Sequence, residues 1–390
     1  PADAVVDPRQ EGCEYPFKGL CGAAVAYKLI EALSEVNGQD VADLDYLLEN
    51  VAIATVADVM DLTEENRILV KQGLEMLTRT SNLGLRALIQ CIGLEGKKIQ
   101  AYHIGFILAP CLNASGKLDT AKRALALLRA KTEREADMLA GDLKALNESR
   151  RDMTDRVVDE AMAKVEQTDI RGDKVLVIYL PDCHESLAGL VAGRVRENYY
   201  RPVFVLTDSE DGVKGSGRSI ESYSMYEELT GCGDLLTKFG GHPMAAGLSL
   251  DKENVEKFKR RLNDQCTLSE EELTEKVVID MELPFTAITE HFIEELECLE
   301  PFGKGNAKPV FAARGVIMQH VKIIGKNKNV AKATAIDAAG NRMEAICFHD
   351  AQEFAKQCER NNGKMSITFY PGINEFRGER QIQIVITHYR

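Results

Sequence analysis

The spacing of apolar positions divides the 390-residue chain into stretches of different period. Between residues 17 and 109 they recur at helical intervals. Leu20 to Leu33, Leu44 to Met60, Glu65 to Leu77 and Leu83 to Ile92 each predict a helix, with Asn and Gly between them. Leu44 to Met60 is a nearly continuous apolar run. One short strand signal, Ala4-Val-Val6, opens this part, which reads as the back half of an α/β domain.

Residues 117–167 hold one glycine, Gly141, and no proline, and predict one or two long helices joining domains. Unbroken, the stretch would span about 75 Å. Lys174 to Leu180 then reads as a buried strand, Glu185 to Asn198 as a helix and Pro202 to Leu206 as a second strand. This βαβ unit predicts a parallel pair. Gly215 to Ile220 and Ala246 to Leu250 are further strand signals, and Val255 to Leu262 a closing helix. From Val310 onward the pattern shortens to six β segments: 310–313, 316–323, 331–337, 343–348, 365–370 and 381–387. One helix, 351–358, interrupts them. That arrangement predicts a small Greek-key barrel of the OB type. The expected architecture is an α/β multidomain chain divided at 1–115, 116–168, 169–270 and 271–390.

Charge changes this picture in one place. The chain carries a net −13, which excludes a general polyanion binder. Residues 270–300 hold eleven acidic residues and one lysine, whereas 308–390 hold thirteen basic and seven acidic residues. The barrel is therefore the expected nucleic-acid platform, with Lys322, Lys326, Lys328 and Arg342 beside Phe348, Phe369, Tyr370 and Phe376. The plain alternative is that the aromatics are core. Ten scattered cysteines without a CxxC pair indicate small buried residues in a cytosolic protein, neither a disulfide framework nor a zinc site. No run of eighteen apolar residues predicts a membrane span, and the first residues show no signal peptide. The chain does not begin with Met, which fits a fragment.

Four segments could carry chemistry. Asp58 sits among Val56, Ala57, Val59 and Met60, where a carboxylate is either a metal ligand or a helix-end residue reaching water. Lys214-Gly-Ser-Gly-Arg-Ser219 combines glycines, hydroxyls and a guanidinium suited to phosphate, but taken alone reads better as a turn. Phe239-Gly-Gly-His242 reads as a loop histidine, and Glu185 as a helix-terminal carboxylate. Leu299 to Phe311, with Lys304 and Lys308, reads as a turn-rich linker or a phosphate contact.

Seven segments in order resemble the single-strand-specific exonucleases of the RecJ family, within the DHH phosphoesterase superfamily. They are Tyr15-Pro-Phe-Lys-Gly-Leu-Cys-Gly-Ala-Ala-Val25, Ala54-Thr-Val-Ala-Asp-Val59 with Glu65-Asn-Arg67, and Ala109-Pro-Cys-Leu-Asn-Ala-Ser-Gly-Lys117. The others are His184-Glu185 with Val191-Ala-Gly-Arg194, Gly215-Ser-Gly-Arg-Ser219, Phe239-Gly-Gly-His242 and Pro301-Phe-Gly-Lys-Gly-Asn306. The resemblance implies a partial DHH domain, a long connecting helix, a DHHA1 domain and an OB-fold. It implies 5′→3′ removal of nucleotides from single-stranded DNA in repair and recombination, with Mn²⁺ or Mg²⁺ activating water and clamping the scissile phosphate. Asp58 matches the last metal-binding aspartate and is the expected catalytic residue. Arg218 and His242 match residues that grip the backbone. The expected phosphate-binding set is Asn113, Ser216, Arg218, Ser219, Gly240, Gly241, His242, Lys304, Lys326 and Lys328.

Two departures qualify the match. The family's Asp-Xaa-Asp motif, the next aspartate and the Asp-His-His motif would precede Pro1, and no His-His pair occurs. Cys111 and Lys117 stand where the family usually has arginine, in what reads as a phosphate-contacting loop. The expectation is an N-terminally truncated, cytoplasmic exonuclease whose partners are single-stranded DNA, a helicase and a single-strand-binding protein, with no membrane. A non-catalytic single-strand-binding scaffold of the same descent is the alternative. A DHH enzyme of short oligonucleotides or cyclic dinucleotides is a third reading, against which the barrel and the Pro301 segment count.

Overall fold

The computed structural model describes residues 3–118, 121–325, 328–348, 350–376 and 378–390. The chain forms two compact units. One joins Asn82–Gly93 to Pro110–Lys276, and the other joins Pro1–Ser81, Leu94–Ala109 and Val277–Arg390.

The first unit is built on a five-stranded sheet of β1 (Leu176–Tyr179), β2 (Val203–Ser209), β3 (Gly212–Arg218), β4 (Leu236–His242) and β5 (Ala245–Leu250), ordered β1-β2-β3-β5-β4. β1 and β2 are parallel, as the βαβ reading requires, and the other pairings are antiparallel. The crossover helix Glu185–Tyr199 buries Leu187, Ala188, Val191, Ala192 and Val195. The opposite core is led by Phe204 and Phe258. Residues 117–167 are not one helix. Lys122–Leu128 ends, and Thr132 caps a fresh start by accepting the Glu135 backbone N–H at 3.2 Å. The second helix, Glu133–Gln167, spans about 52 Å. Leu83–Cys91 packs closely here: a Cβ on Gly84 would fall 1.9 Å from the Leu127 carbonyl oxygen.

The second unit joins a helical part to a barrel. Its helices are Gly22–Val36, Leu48–Ala57 and Glu64–Thr78, around a core of Leu20, Ala24, Tyr27, Leu48, Val51 and Leu69. Ala4-Val-Val6 is not a strand; Val5 and Val6 are exposed. Leu44 to Met60 is also not continuous: a 3₁₀ turn, Val41–Leu47, precedes the α-helix, which stops at Ala57. The barrel strands are β6 (Met281–Glu282), β7 (Phe311–Ile324), β8 (Val330–Ile336), β9 (Arg342–Cys347), β10 (Lys364–Phe376) and β11 (Glu379–Tyr389). β7, β8, β9, β11 and β10 pair in turn and β10 returns to β7, so five strands close on themselves with β6 beside β7. Closure removes the sheet edges. The two segments read as 310–313 and 316–323 are one long strand, β7. Its ladder to β8 shifts register between Gln319 and Lys322, next to His320 at φ 53°.

The Ala109–Lys117 segment, expected as a loop, is helical. Ala101–His103 runs into a π turn at Ile104–Leu108 and then into Ala109–Leu118. A proline inside a helix lacks an N–H and crowds the carbonyl four residues back. The wider π turn immediately before Pro110 makes room for it.

Candidate nucleic-acid interface

The glycines of β3 and β5 divide by face. Gly215 and Gly217 point inward, where a Cβ would lie 2.5 Å from Leu206 and 2.4 Å from the Met225 sulfur. They let the core press close under the sheet. Residues on the other face of β3 are Lys214, Ser216 and Arg218. Arg218 stands opposite Ala245 of β5, which stands opposite His242 of the edge strand β4. The next row is Ser216, Gly247 and Gly240, and the third is Lys214, Ser249 and Lys238. Gly240, His242, Gly247 and Lys238 are exposed. A Cβ on Gly240 would meet nothing within 4 Å, so its bareness serves no internal packing. Three rows of cation, hydroxyl and bare backbone, exposed over β5 and β4 and bordered at β3 by the helix Glu185–Tyr199, suit a phosphodiester chain.

Gly215 to Ile220, a strand signal in the sequence although Lys214 to Ser219 taken alone reads better as a turn, is strand as far as Arg218, the last residue of β3, and Phe239-Gly-Gly-His242 is a strand rather than a loop. Gly241, at φ 154°, leaves no room for a side chain: a Cβ would sit 2.4 Å from the Ala245 carbonyl oxygen. Arg218 is half-buried. Its Nη1 donates to the Gly217 carbonyl at 2.8 Å and to Ser216 Oγ at 3.4 Å. Among the described residues no carboxylate pairs with it. Burial, and then the neighbouring Arg196 guanidinium, hold its pKa below the usual arginine value. Arg196 contacts Glu197 at 3.5 Å, so Arg218 is the cation of the two that is left to attract an anion. Glu185 is more than a helix-end carboxylate: it pairs with Lys214 at 2.7 Å.

Other expected residues lie elsewhere. Ser219 is 1% exposed and its hydroxyl donates to the Tyr223 carbonyl at 2.5 Å, a turn-fixing role away from the open face. Asn113 is exposed on Ala109–Leu118, and two residues before it Cys111 is buried. Burial pushes the Cys111 thiol up to about 11, against the opposing influence of Arg150 and Asn147 on the long helix. Lys328 is exposed in the turn after β7, at φ 51°. Lys326 and the side chain of Lys117 lie outside the described residues. Of the barrel aromatics, Phe369 is core and Tyr370 lies beneath Lys308, whose Nζ is 4.7 Å from its ring centre. Phe348 is exposed, and the Phe376 side chain is outside the described set.

The Pro301-to-Asn306 segment is a clasp within the second unit. Lys304 pairs with Asp61 at 3.0 Å, and its carbonyl accepts the Leu62 N–H at 2.7 Å. Cβ atoms on Gly303 and Gly305 would meet Leu62 at 2.7 Å and Asp61 at 3.1 Å. Asn306 Nδ2 donates to the Leu299 and Pro301 carbonyls, each at 2.8 Å. Arg67 Nη2 reaches the carbonyls of Cys298, Leu299 and Glu300 at 3.1–3.3 Å.

Asp58 is exposed as the C-cap of Leu48–Ala57. Val59 follows in the left-handed region at φ 54°, donating to the Val56 carbonyl, and Met60 donates to that of Thr55. This is a Schellman ending with a β-branched residue where glycine is preferred, a strained way to fix Asp58. Among the described residues no three His, Cys, Asp or Glu side chains gather as a metal site. A hard divalent cation needs several oxygen ligands, so the residues described here do not make one up. Beside Asp58 lies a groove of about 660 Å³ lined by Val59, Met60, Tyr102, Phe106, Lys71 and Lys98. Tyr102 and Phe106 are exposed and stacked at 4.9 Å. Their four-residue spacing on a helix is the sequence signal for this groove.

Family models match in two places: the DHHA1 domain over residues 172–268 and the RecJ OB domain over 279–388. The single-stranded-DNA-specific exonuclease RecJ of Salmonella typhimurium is 32% identical, over 99% of this chain and 70% of its own length. The chain belongs to the RecJ family. RecJ of Bacillus subtilis is 36% identical over 98% of this chain, and the chain spans about half of that relative, 48%. The crystal structure of Thermus thermophilus RecJ in complex with Mg²⁺ matches with a TM-score of 0.80 at 26% identity, covering 97% of this chain and 57% of that one. The same protein with Mn²⁺ matches equally, at 0.80 and 27%. The open face of β3, β5 and β4 thus lies in the DHHA1 domain of a RecJ chain, and the closed barrel is its OB domain. No helix among the described residues is long and apolar enough to cross a membrane.

Proposed function

We propose that this chain works in the 5′→3′ degradation of single-stranded DNA during repair and recombination, and that its DHHA1 face grips the DNA backbone. The observation that carries the reading is the register of Arg218, Ala245 and His242 over the exposed glycines 240 and 247. Arg218 and Ser216 bind phosphate, His242 and Lys238 extend the contact to the edge strand, and the bare backbone allows close approach. Such contacts position DNA without reading sequence, as an exonuclease of no fixed sequence requires. The barrel adds charge through Lys322 and Lys328, with Phe348 exposed for stacking.

Asp58 is proposed as one carboxylate ligand for Mn²⁺ or Mg²⁺. The described residues supply no complete set, so no hydrolytic step is assigned to them. Cytoplasmic location and work beside a helicase and a single-strand-binding protein follow from the same reading. The test is a 5′-labelled single-stranded oligonucleotide incubated with the 390-residue chain and Mn²⁺. Binding without release of labelled mononucleotide is expected. Failure to bind contradicts the grip, and release of mononucleotide contradicts the incomplete metal site.

A further inference from the structure

The helix Glu185–Tyr199 lies against β3 on the side that carries Arg218, and the contact is made through a residue without a side chain. A Cβ built on Gly189 falls 2.7 Å from Arg218 Nη2, 3.3 Å from its Cζ and 2.9 Å from Ser216 Oγ. These three nearest atoms all belong to side chains, none to backbone. The space left open at Gly189 is occupied by the far end of the one arginine on this face, and by the hydroxyl that accepts its hydrogen bond. One turn earlier on the helix, Glu185 holds Lys214, the residue two before Ser216 on β3, at 2.7 Å. The helix is held along the sheet by Leu187, Ala188, Val191 and Val195, buried in one core with Val203 and Val205 of β2, so a group added at position 189 is not relieved by sliding the helix. Arg218, a flexible side chain, would move instead.

We propose that Gly189 is the positioning residue for Arg218: its missing side chain lets the guanidinium fold against the helix, in place to receive a DNA phosphate. The phosphate-gripping part of this inference rests on the function proposed above; the placement of Arg218 does not. Gly189 touches no DNA itself. Alanine is the better helix former, so Gly189→Ala burdens the site and not the helix. Gly193 lies one turn further along, and its Cβ would meet nothing within 4 Å; Gly193→Ala is the matched control.

Two readouts test this on the 390-residue chain. The first is the rate of phenylglyoxal modification at Arg218, followed by mass spectrometry. Gly189→Ala is expected to raise it several-fold by turning the guanidinium out, while Gly193→Ala leaves it unchanged. The second is affinity for single-stranded oligonucleotide. Gly189→Ala is expected to lose affinity as Arg218→Ala does, about ten-fold or more, and the double variant to lose no more than Arg218→Ala alone. Gly189→Ser, which also adds a Cβ, reports the same if the alanine variant melts early. An unchanged modification rate overturns the proposal. So does a further loss in the double variant, or full affinity in Gly189→Ala where Arg218→Ala has lost it. If the modification rate rises but neither Gly189→Ala nor Arg218→Ala alters affinity, the placement of Arg218 stands and the DNA-grip reading fails.

Discussion

Two glycine-rich segments, Lys214-Gly-Ser-Gly-Arg218 and Phe302-Gly-Lys-Gly-Asn306, look alike in the sequence: each sets a cation among glycines. The structure separates them. In the clasp, the space around the glycines belongs to Leu62 and Asp61, the lysine has its acid, and Asn306 satisfies two carbonyls. In the DHHA1 sheet, the inward glycines serve the core, but the neighbouring strands place Gly240 and Gly247 in the open, beside an arginine with no acid among the described residues. What fills the space next to a glycine tells a structural turn from a binding surface. The clasp commits its lysine and its asparagine to its own acid and carbonyls, whereas on the sheet Lys214 has Glu185 and Arg218 is left with no acid among the described residues.

The two segments should respond to substitution in different ways. Arg218→Ala removes a charge-assisted contact worth roughly 1.5–3 kcal/mol. Single-strand affinity measured by fluorescence anisotropy should fall at least ten-fold, with thermal stability unchanged. Asn306→Ala does the reverse: it strips the hydrogen-bond donor from two carbonyls, at about 1–3 kcal/mol. Denaturant unfolding should register that loss while the affinity set by Arg218 stays as it was. Val59→Gly relieves the left-handed valine beside Asp58 and should stabilise the chain by about 1 kcal/mol, seen as a higher denaturation midpoint. Smallest is Lys304→Ala. Its pair with Asp61 is exposed, so stability should fall by no more than about 1 kcal/mol and DNA affinity should not change. A large affinity loss in Lys304→Ala would erase the distinction between the two segments.

Much of the fold is legible in the sequence. The parallel pair β1 and β2 and the barrel strands follow from the pattern of apolar positions, and the long helix after residue 133 from a stretch with one glycine and no proline. The failures are local. Gly-Ser-Gly gives a strand signal and a turn signal at once, and Phe-Gly-Gly-His reads as a loop, because glycine is poor in isolated strands; here large core side chains select Gly215 and Gly217, and the backbone of Ala245 selects Gly241. The Ala109–Lys117 helix is hidden by Pro110, which the π turn before it accommodates. The helix end at Asp58 is open to two readings because no glycine marks it; Val59 takes the left-handed position instead. The resemblance points to Arg218 and His242. The strand register that sets them in one row, and the gap at Gly189 that Arg218 fills, depend on contacts distant in sequence, and no local pattern encodes them.

We propose that phosphate is gripped on the DHHA1 glycine face and not at the clasp. The most direct test is the salt dependence of single-strand binding in wild type, Arg218→Ala and Lys304→Ala. Removing one phosphate-gripping group should flatten the slope of log affinity against log salt by about 0.7. Arg218→Ala should show a slope flatter by about that amount, and Lys304→Ala the wild-type slope. An unchanged slope in Arg218→Ala, or a flattened one in Lys304→Ala, would contradict the proposal.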